Sequence, residues 1–240
     1  MKILSLDTSA KTATAALVSD SELVAEYSIL TTTHSTTLLP MIESIFKLAG
    51  IKAEDVDLYA VTVGPGSFTG IRIGVSTVKG LAFAYNTPCV GVSALSAMAE
   101  NLGGLDGIIV PVIDARRDMV YTALFRSLPD GSVERLTEDM QISIDELFEL
   151  LGEYRDTRIY FTGDAYTKVS ERFSNHEQGI TPVKLRAQSA YGVASAGLKL
   201  WNNTEDKSAL TAAALMPVYL RKSQAERERE ERLAAENNIQ

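Results

Sequence analysis

Ile3-Leu-Ser-Leu-Asp7-Thr-Ser-Ala-Lys-Thr-Ala-Thr-Ala-Ala-Leu17 reads as an apolar strand, an acidic turn and a second strand. Laid over Val110-Pro-Val-Ile-Asp114-Ala-Arg-Arg-Asp-Met-Val-Tyr-Thr-Ala-Leu124, it brings Asp7 onto Asp114, Ala16 onto Ala123 and Leu17 onto Leu124. The chain reads as a duplication. After its opening hairpin the first half continues as strand (Glu22 to Leu30), helix (Ser35 to Ala49), strand (Leu58 to Val63), helix (Phe68 to Tyr85), strand (Pro88 to Val92) and helix (Ala94 to Leu102). The second half repeats this order less clearly: a third strand near Glu134 to Met140, a helix from Ile144 to Leu151, a strand from Arg158 to Thr162 and a helix from Tyr166 to Arg172. The glycine cluster Gly103-Gly-Leu-Asp-Gly107 separates the halves. The expected lobes are 1–104 and 105–222, followed by a charged helical tail, 223–240, in which Glu228 stands four residues before Arg232.

Gly64-Pro-Gly-Ser-Phe-Thr-Gly-Ile-Arg-Ile-Gly74 looks like a phosphate loop and fails both patterns for one. Gly70-Ile71-Arg72 stands where a Walker motif needs Gly-Lys-Ser/Thr, and Thr69 stands where the dinucleotide pattern needs its third glycine. It is read as a tight strand-to-helix turn, with glycines for left-handed backbone and close packing, in preference to an anion site.

The helix that follows has almost no polar face. Phe68, Val75 and Ala82 line one side, and Ile73, Thr77, Gly80, Leu81 and Ala84 the other, so it must be covered twice. Leu58-Tyr-Ala-Val-Thr-Val63 announces the sheet on one side. The preceding helix, with Pro40 near its start and Gly50 past its end, spreads Leu38, Leu39, Met41, Ile42, Ile45, Phe46, Leu48 and Ala49 over about half its circumference, more than the ~100° of a one-sided helix. Two readings stand level on the residues alone: the helices cover each other and the sheet, or they form a docking face of Leu38, Leu39, Ile42, Ile45 and Phe46 with Ile73, Thr77, Leu81 and Ala84.

The chain has 240 residues, 45% of them apolar, which is enough for one large or two small cores. Its formal net charge of −8 argues against holding nucleic acid unaided, and the basic pairs Arg116-Arg117 and Arg221-Lys222 are short. It contains no run of about 18 apolar residues, and Met1-Lys-Ile-Leu-Ser-Leu-Asp7 places charge where a signal peptide needs its apolar stretch, so no membrane association and a cytoplasmic location are expected. The single cysteine, Cys89, is read as a small core residue.

Paired halves that each begin in a strand-Asp-turn-strand hairpin resemble the superfamily of actin, sugar kinases and chaperone ATPases. The implied fold is α/β, a duplicated actin-like (ribonuclease H-like) two-lobe fold. In active members the hairpins face each other across a cleft and hold nucleotide phosphates through glycine, serine and threonine turns. That resemblance places Asp7, Thr8, Ser9, Asp114, Arg116, Gly163 and Asp164 at the cleft. Asp114-Ala-Arg-Arg117 carries no glycine, and Thr162-Gly-Asp-Ala165 offers one glycine and an acid, so the cleft is expected to be vestigial, with no cofactor.

More narrowly, Leu4-Ser-Leu-Asp-Thr-Ser9, His34-Ser-Thr-Thr-Leu-Leu-Pro-Met-Ile42, the Gly64–Gly74 block, Lys79-Gly-Leu-Ala82, Asp114-Ala-Arg-Arg117 and Pro217-Val-Tyr-Leu-Arg221 together resemble the bacterial TsaB (YeaZ) family. The match runs over residues 4–221. It implies a component of the machinery that installs threonylcarbamoyl on adenosine 37 of tRNAs reading ANN codons. The implied partners are a TsaD-type transferase, a TsaE-type ATPase, tRNA through the complex, and a second copy through the same helices. In the transferase paralogue the strand equivalent to Pro88–Val92 leads into a metal-binding His-x-Glu-Gly-His pattern. Here the stretch is Gly91-Val-Ser-Ala-Leu-Ser-Ala-Met98, whose donors cannot replace two imidazoles, and the only histidines are His34 and His176.

Other catalytic patterns are thin. Ser67 lies outside a Gly-x-Ser-x-Gly elbow, and no imidazole stands near it in sequence. Asp7 and Asp114 could form an acid-base pair across the cleft, though each accepting the amides of its own turn is the preferred reading. His34 is expected to help begin its helix. The expected function is a non-catalytic scaffold subunit that docks on the transferase, with a stand-alone glycopeptidase-like hydrolase or small-molecule ATPase as the alternative.

Overall fold

The computed structural model describes residues 1–31, 33–173 and 179–220. His176, Arg221-Lys222 and the expected tail lie outside the described residues. Strands β1 (Lys2–Asp7), β2 (Thr12–Ser19) and β3 (Glu22–Leu30) form an antiparallel meander. β4 (Leu58–Gly64) joins β1 in parallel, and β5 (Cys89–Ser93) joins β4 in parallel, giving the order β3-β2-β1-β4-β5. Helices α1 (His34–Ala49) and α2 (Phe68–Tyr85) make the crossovers, and α3 (Ala94–Glu100) leads to the second sheet.

The second half repeats the plan. β6 (Gly107–Asp114) pairs antiparallel with β7 (Met119–Thr122) and then with β8 (Phe125–Ser127), while β11 (Ile159–Thr162) joins its other edge in parallel. Helices α4 (Ile144–Leu151) and α5 (Tyr166–Arg172) follow the expected positions. The expected single third strand is instead two short ones, β9 (Val133–Arg135) on β8 and β10 (Met140–Ser143) on β7. Thr137 causes the break: its hydroxyl accepts the Leu124 N–H at 2.9 Å, and its own N–H turns to the Leu124 carbonyl, so the ladder is interrupted there.

The layers follow from the strand alternation. Leu4, Leu6, Val61, Val63 and Tyr59 face α1 and α2, whereas Ile3, Leu58 and Ala60 face the other way. That opposite face is closed by α6 (Ala190–Asn203), through Val193 and Ala194, an element with no counterpart in the expected second half. Ile108, Val110 and Val112 of β6 point to α4 and α5, and Ile109 and Ile113 to α3. After α6 the chain stays on the first sheet: Leu215 enters the first core, and the Val218 N–H donates to the Val63 carbonyl at 2.7 Å. Among the described residues no helix is long and apolar enough to cross a membrane.

The docking residues expected on α1 need correction. Leu38, Ile42 and Ile45 are at most 2% exposed and belong to the first core. Burial of each side chain contributes about 1.5–3 kcal/mol to the chain's own fold, so none of the three is free to meet a partner. Leu39 is exposed, Phe46, Ile73, Thr77 and Leu81 are half-buried, and Ala84 is exposed.

Candidate functional site

The β1–β2 turn uses its polar groups inside the chain. Asp7, 1% exposed, accepts the Ser9 N–H at 2.7 Å and the Thr62 hydroxyl at 3.0 Å on Oδ1. Its Oδ2 is buried without a hydrogen-bond partner among the described atoms. Burial pushes the Asp7 carboxyl up. Ser9 and Thr62 oppose that shift as hydrogen-bond donors, with a smaller opposing effect from His34. The Ser9 hydroxyl lies near enough to take part without meeting hydrogen-bond geometry. His34 Nε2 faces the Ala10 carbonyl at 2.8 Å and so carries the proton of the ring, tying the end of the turn to the first residue of α1.

The glycine block packs onto this turn. The Thr8 hydroxyl donates to the Gly70 carbonyl at 2.7 Å, and the Ser67 N–H donates to the Ser9 carbonyl at 2.6 Å. A Cβ on Gly70 would collide with the Thr8 carbonyl, and one on Gly74 would stand 2.6 Å from the Thr8 hydroxyl oxygen. The Ser67 hydroxyl caps α2 by accepting the Gly70 N–H. The glycines therefore serve close packing of helix on hairpin.

The second turn is built differently. Asp114 is exposed, accepts the Arg116 N–H of its own turn at 3.0 Å, and lies 3.9 Å from the Lys168 ammonium. Asp7 and Asp114 thus each bind their own hairpin. Arg116, Arg117 and Asp118 have φ of 66°, 50° and 60°, three successive left-handed residues with no glycine among them. Such conformations cost about 1–3 kcal/mol each and persist only where the surroundings enforce them. Here the Asp118 carboxylate is held by Lys168 at 3.1 Å and Arg172 at 2.9 Å, whose hydrogen bonds and charge lower its pKa. The Ile144 N–H also donates to the Asp118 carbonyl.

Asp164 Oδ1 accepts the Asp114 N–H at 2.9 Å. Partial enclosure pushes its carboxyl up, with the like charge of Asp114 adding to the shift and Lys11 opposing it. Lys11 lies in the first turn and acts on Asp164 only as an opposing charge. Gly163, at φ 110°, lies so close to the Val112 carbonyl that any side chain would collide; it serves backbone packing. Cys89 is buried, which raises its thiol to about 11 and leaves it protonated.

At the stretch corresponding to the paralogue's metal pattern, Ser93 begins α3. Its hydroxyl accepts the Leu95 and Ser96 N–H groups and donates to Asp139 at 2.6 Å. Arg135 bridges Asp139 at 2.7 Å and the Ser96 hydroxyl. A second-half ion pair thus covers this helix start, and the wide separation of Ser93 and Asp139 in sequence hid it. Among the described residues no three His, Cys, Asp or Glu side chains gather as a metal site would require.

On α2, Ile73, Thr77, Gly80 and Ala84 recur along the side away from the sheet. Phe83 is 83% exposed beside them. The segment 216–220 crosses the start of this helix: Tyr219 stacks on Phe68, accepts a hydrogen bond from Arg72 Nε at 2.8 Å, and Met216 approaches Lys79. A small opening of about 10 Å³, room for one water, lies between Pro65, Gly66, Phe68, Tyr121 and Tyr219.

Comparison with known proteins accords with this geometry. A family model described as "TsaD: tRNA N6-adenosine threonylcarbamoyltransferase" matches residues 28–228. The chain is 33% identical over 231 residues to the tRNA threonylcarbamoyladenosine biosynthesis protein TsaB of Bacillus subtilis, covering 94% of this chain and 96% of that one. The solved structure of YeaZ from Pseudomonas aeruginosa superposes with a TM-score of 0.71 at 27% identity, covering 91% of this chain and 99% of that one. An activator of 2-hydroxyisocaproyl-CoA dehydratase from Clostridium difficile, with bound ADPNP, shares the fold alone: TM-score 0.52 at 13% identity, covering 84% and 95% of the two chains. A duplicated actin-like fold, near-complete coverage by TsaB and YeaZ relatives, and the transferase family model together make this chain a member of the TsaB (YeaZ) family of tRNA threonylcarbamoyladenosine biosynthesis proteins.

Proposed function

We propose that this chain is a non-catalytic accessory subunit that docks on a TsaD-type transferase through the outward side of α2 and the adjoining exposed part of α1, and thereby supports threonylcarbamoyl transfer to tRNA. The observation that carries the reading is the character of that side of α2. Gly80 and Ala84 are exposed, Phe83 is 83% exposed, and the Thr77 hydroxyl donates to the Ile73 carbonyl at 2.8 Å within the helix. Small residues let a partner backbone approach closely, and a hydroxyl already satisfied inside the helix is cheap to remove from water.

Ile73, Thr77, Leu81 and Ala84, with Leu39 and Phe46, remain the proposed contacts. A stable interface removes on the order of 1,600 Å² from water in total, and two helix faces supply a large part of one side. The same surface offers a route to a homodimer in the absence of the transferase. The TsaE-type ATPase joins as a further partner, and tRNA is modified on the transferase. Lobe 1–104 carries the docking helices and lobe 105–222 acts mainly as a rigid backing, with its residues 190–220 packed on the first sheet.

The Asp7 turn supports a cleft without chemistry of its own through the groups it engages inside the chain: the Thr8 hydroxyl on the Gly70 carbonyl, the Ser9 carbonyl on the Ser67 N–H, and Asp7 Oδ1 on the Thr62 hydroxyl. Titration calorimetry of the full chain into the transferase tests the docking reading. Ala84→Arg should weaken binding strongly in a normally folded protein. Unchanged affinity would place the contact elsewhere.

A further inference from the structure

The cluster around the second turn is basic on an acidic protein. Lys168 and Arg172 pair with Asp114 and Asp118, Asp164 accepts the Asp114 N–H, and Arg116 and Arg117 lie exposed on the same turn, four cations against three carboxylates. The carboxylates are each engaged: Asp118 by Lys168 and Arg172, Asp114 by Lys168 and the Arg116 N–H, Asp164 by the Asp114 N–H. Arg116 and Arg117 are both exposed, and the excess charge falls on them. The chain as a whole carries −8, so two adjacent exposed arginines on this turn are a departure that general solubility does not explain. The backbone holds these two arginines in left-handed conformations that glycine would adopt without cost, while ion pairs on Asp118 and the Ile144 N–H pin the turn from its far side.

We propose that Arg116 and Arg117 form a phosphate contact, and that its source is the sugar-phosphate backbone of the RNA handled by the assembled complex. The proposal rests on the accessory-subunit reading above. Adjacent guanidinium groups on an exposed turn suit an extended polyanion: each offers a planar fork of donors to a phosphate, and neither is enclosed as an isolated nucleotide would need. Two contacts are too few to hold RNA alone, which fits the acidic character of the chain. Added to a transferase surface they raise affinity and set orientation without reading sequence.

The test uses the complex of full-length chain and transferase, an unmodified tRNA transcript as probe, and fluorescence anisotropy over a range of salt concentrations. Arg116→Gly with Arg117→Gly removes both charges at positions where glycine fits, so the melting temperature should not fall. The double variant should weaken RNA binding, and the slope of log affinity against log salt should become shallower by roughly 1–2. Lysine at both positions should restore most of the slope. A parallel arm measures ATP and inorganic phosphate by calorimetry. Loss of that binding with RNA affinity unchanged would assign the contact to a small phosphate and overturn the RNA source. Unchanged RNA affinity and slope, with no effect on small phosphates, would overturn the site altogether. Loss of transferase binding by the double variant would make the turn part of the protein interface and also overturn it. Because transferase affinity is read separately, failure of the docking reading would show with Ala84→Arg and leave this result distinct.

Discussion

The Tyr219 ring stacks on the Phe68 ring with centroids 4.5 Å apart and planes 14° from parallel, joining the last described stretch of chain to the first residue of α2. Arg72, one turn along the helix, donates to the Tyr219 hydroxyl and lies 5.6 Å from its ring. The described part of the family motif, Pro217 to Leu220, therefore has a physical role: it straps the start of the proposed docking helix to the core.

The strap makes a measurable contribution. Stacked aromatic pairs are worth about 0.5–1.5 kcal/mol beyond their buried area. A double-mutant cycle with Phe68→Ala and Tyr219→Ala should show coupling of that size in urea unfolding, and Tyr219→Ala alone should lower the melting temperature by a few degrees. Additive effects would mean that the two rings touch without supporting each other.

The glycines of the Gly64–Gly74 block should separate from glycines elsewhere on α2. Alanine at Gly70 meets the Thr8 carbonyl, and overpacking of this kind costs about 1–3 kcal/mol. Alanine at Gly80 meets nothing within 4 Å and should stabilise the helix by about 0.5–1 kcal/mol. Denaturant midpoints of the two variants should move in opposite directions. A neutral Gly70→Ala would contradict the packing role of the loop.

Much of this was legible in the sequence, for identifiable reasons. The Asp7 and Asp114 hairpins, β3, β4 and α2 stood out because period-2 and helical patterns ended at glycine or polar punctuation. The breadth of the apolar surface on α1 was legible, but not its cause. Leu38, Ile42 and Ile45 turned out to be core because α1 lies between β2, β3 and α2, a tertiary placement that a helical wheel does not contain. Helix α6 was missed: Ala190, Gly192, Val193, Ala194 and Gly197 form a stripe of small residues, which packs closely on Ala60 and Val90 yet gives little apolar contrast along the chain. Within the cleft, the absence of glycine after Asp114 was visible, whereas the left-handed backbone it adopts anyway was not, since it depends on Lys168 and Arg172 some fifty residues away.

The buried Asp7 carboxyl sets a pH dependence of defined sign. Its folded-state pKa is raised, so the folded protein binds this proton more tightly than the unfolded chain does. Its contribution to stability is fully present below the ordinary aspartate pKa and is lost as pH rises through the raised value. Wild type should therefore gain stability relative to Asp7→Asn as pH falls from neutral toward 4, even while other carboxylates such as Asp118 act in the opposite sense in both proteins. Paired urea titrations across that range read the difference directly. A wild-type advantage that grows with rising pH would show that hydrogen bonding to the ionised form dominates burial.

The central claim is that the chain acts by docking. Its most direct measurement is threonylcarbamoylated tRNA formed per minute in a reconstituted system with all partners, at limiting concentrations of this chain. Phe83→Asp or Ala84→Arg, at exposed positions that leave the fold intact, should each place an unpaired charge in the contact, costing roughly 3–5 kcal/mol if it is desolvated. That corresponds to about 10²- to 10⁴-fold in affinity, and product formation should fall with it. Asp7→Asn, with its melt unchanged, should keep most of the activity. The account would be contradicted by the reverse: full product from the two α2 variants, or none from a well-folded Asp7→Asn protein that still binds the transferase at wild-type affinity.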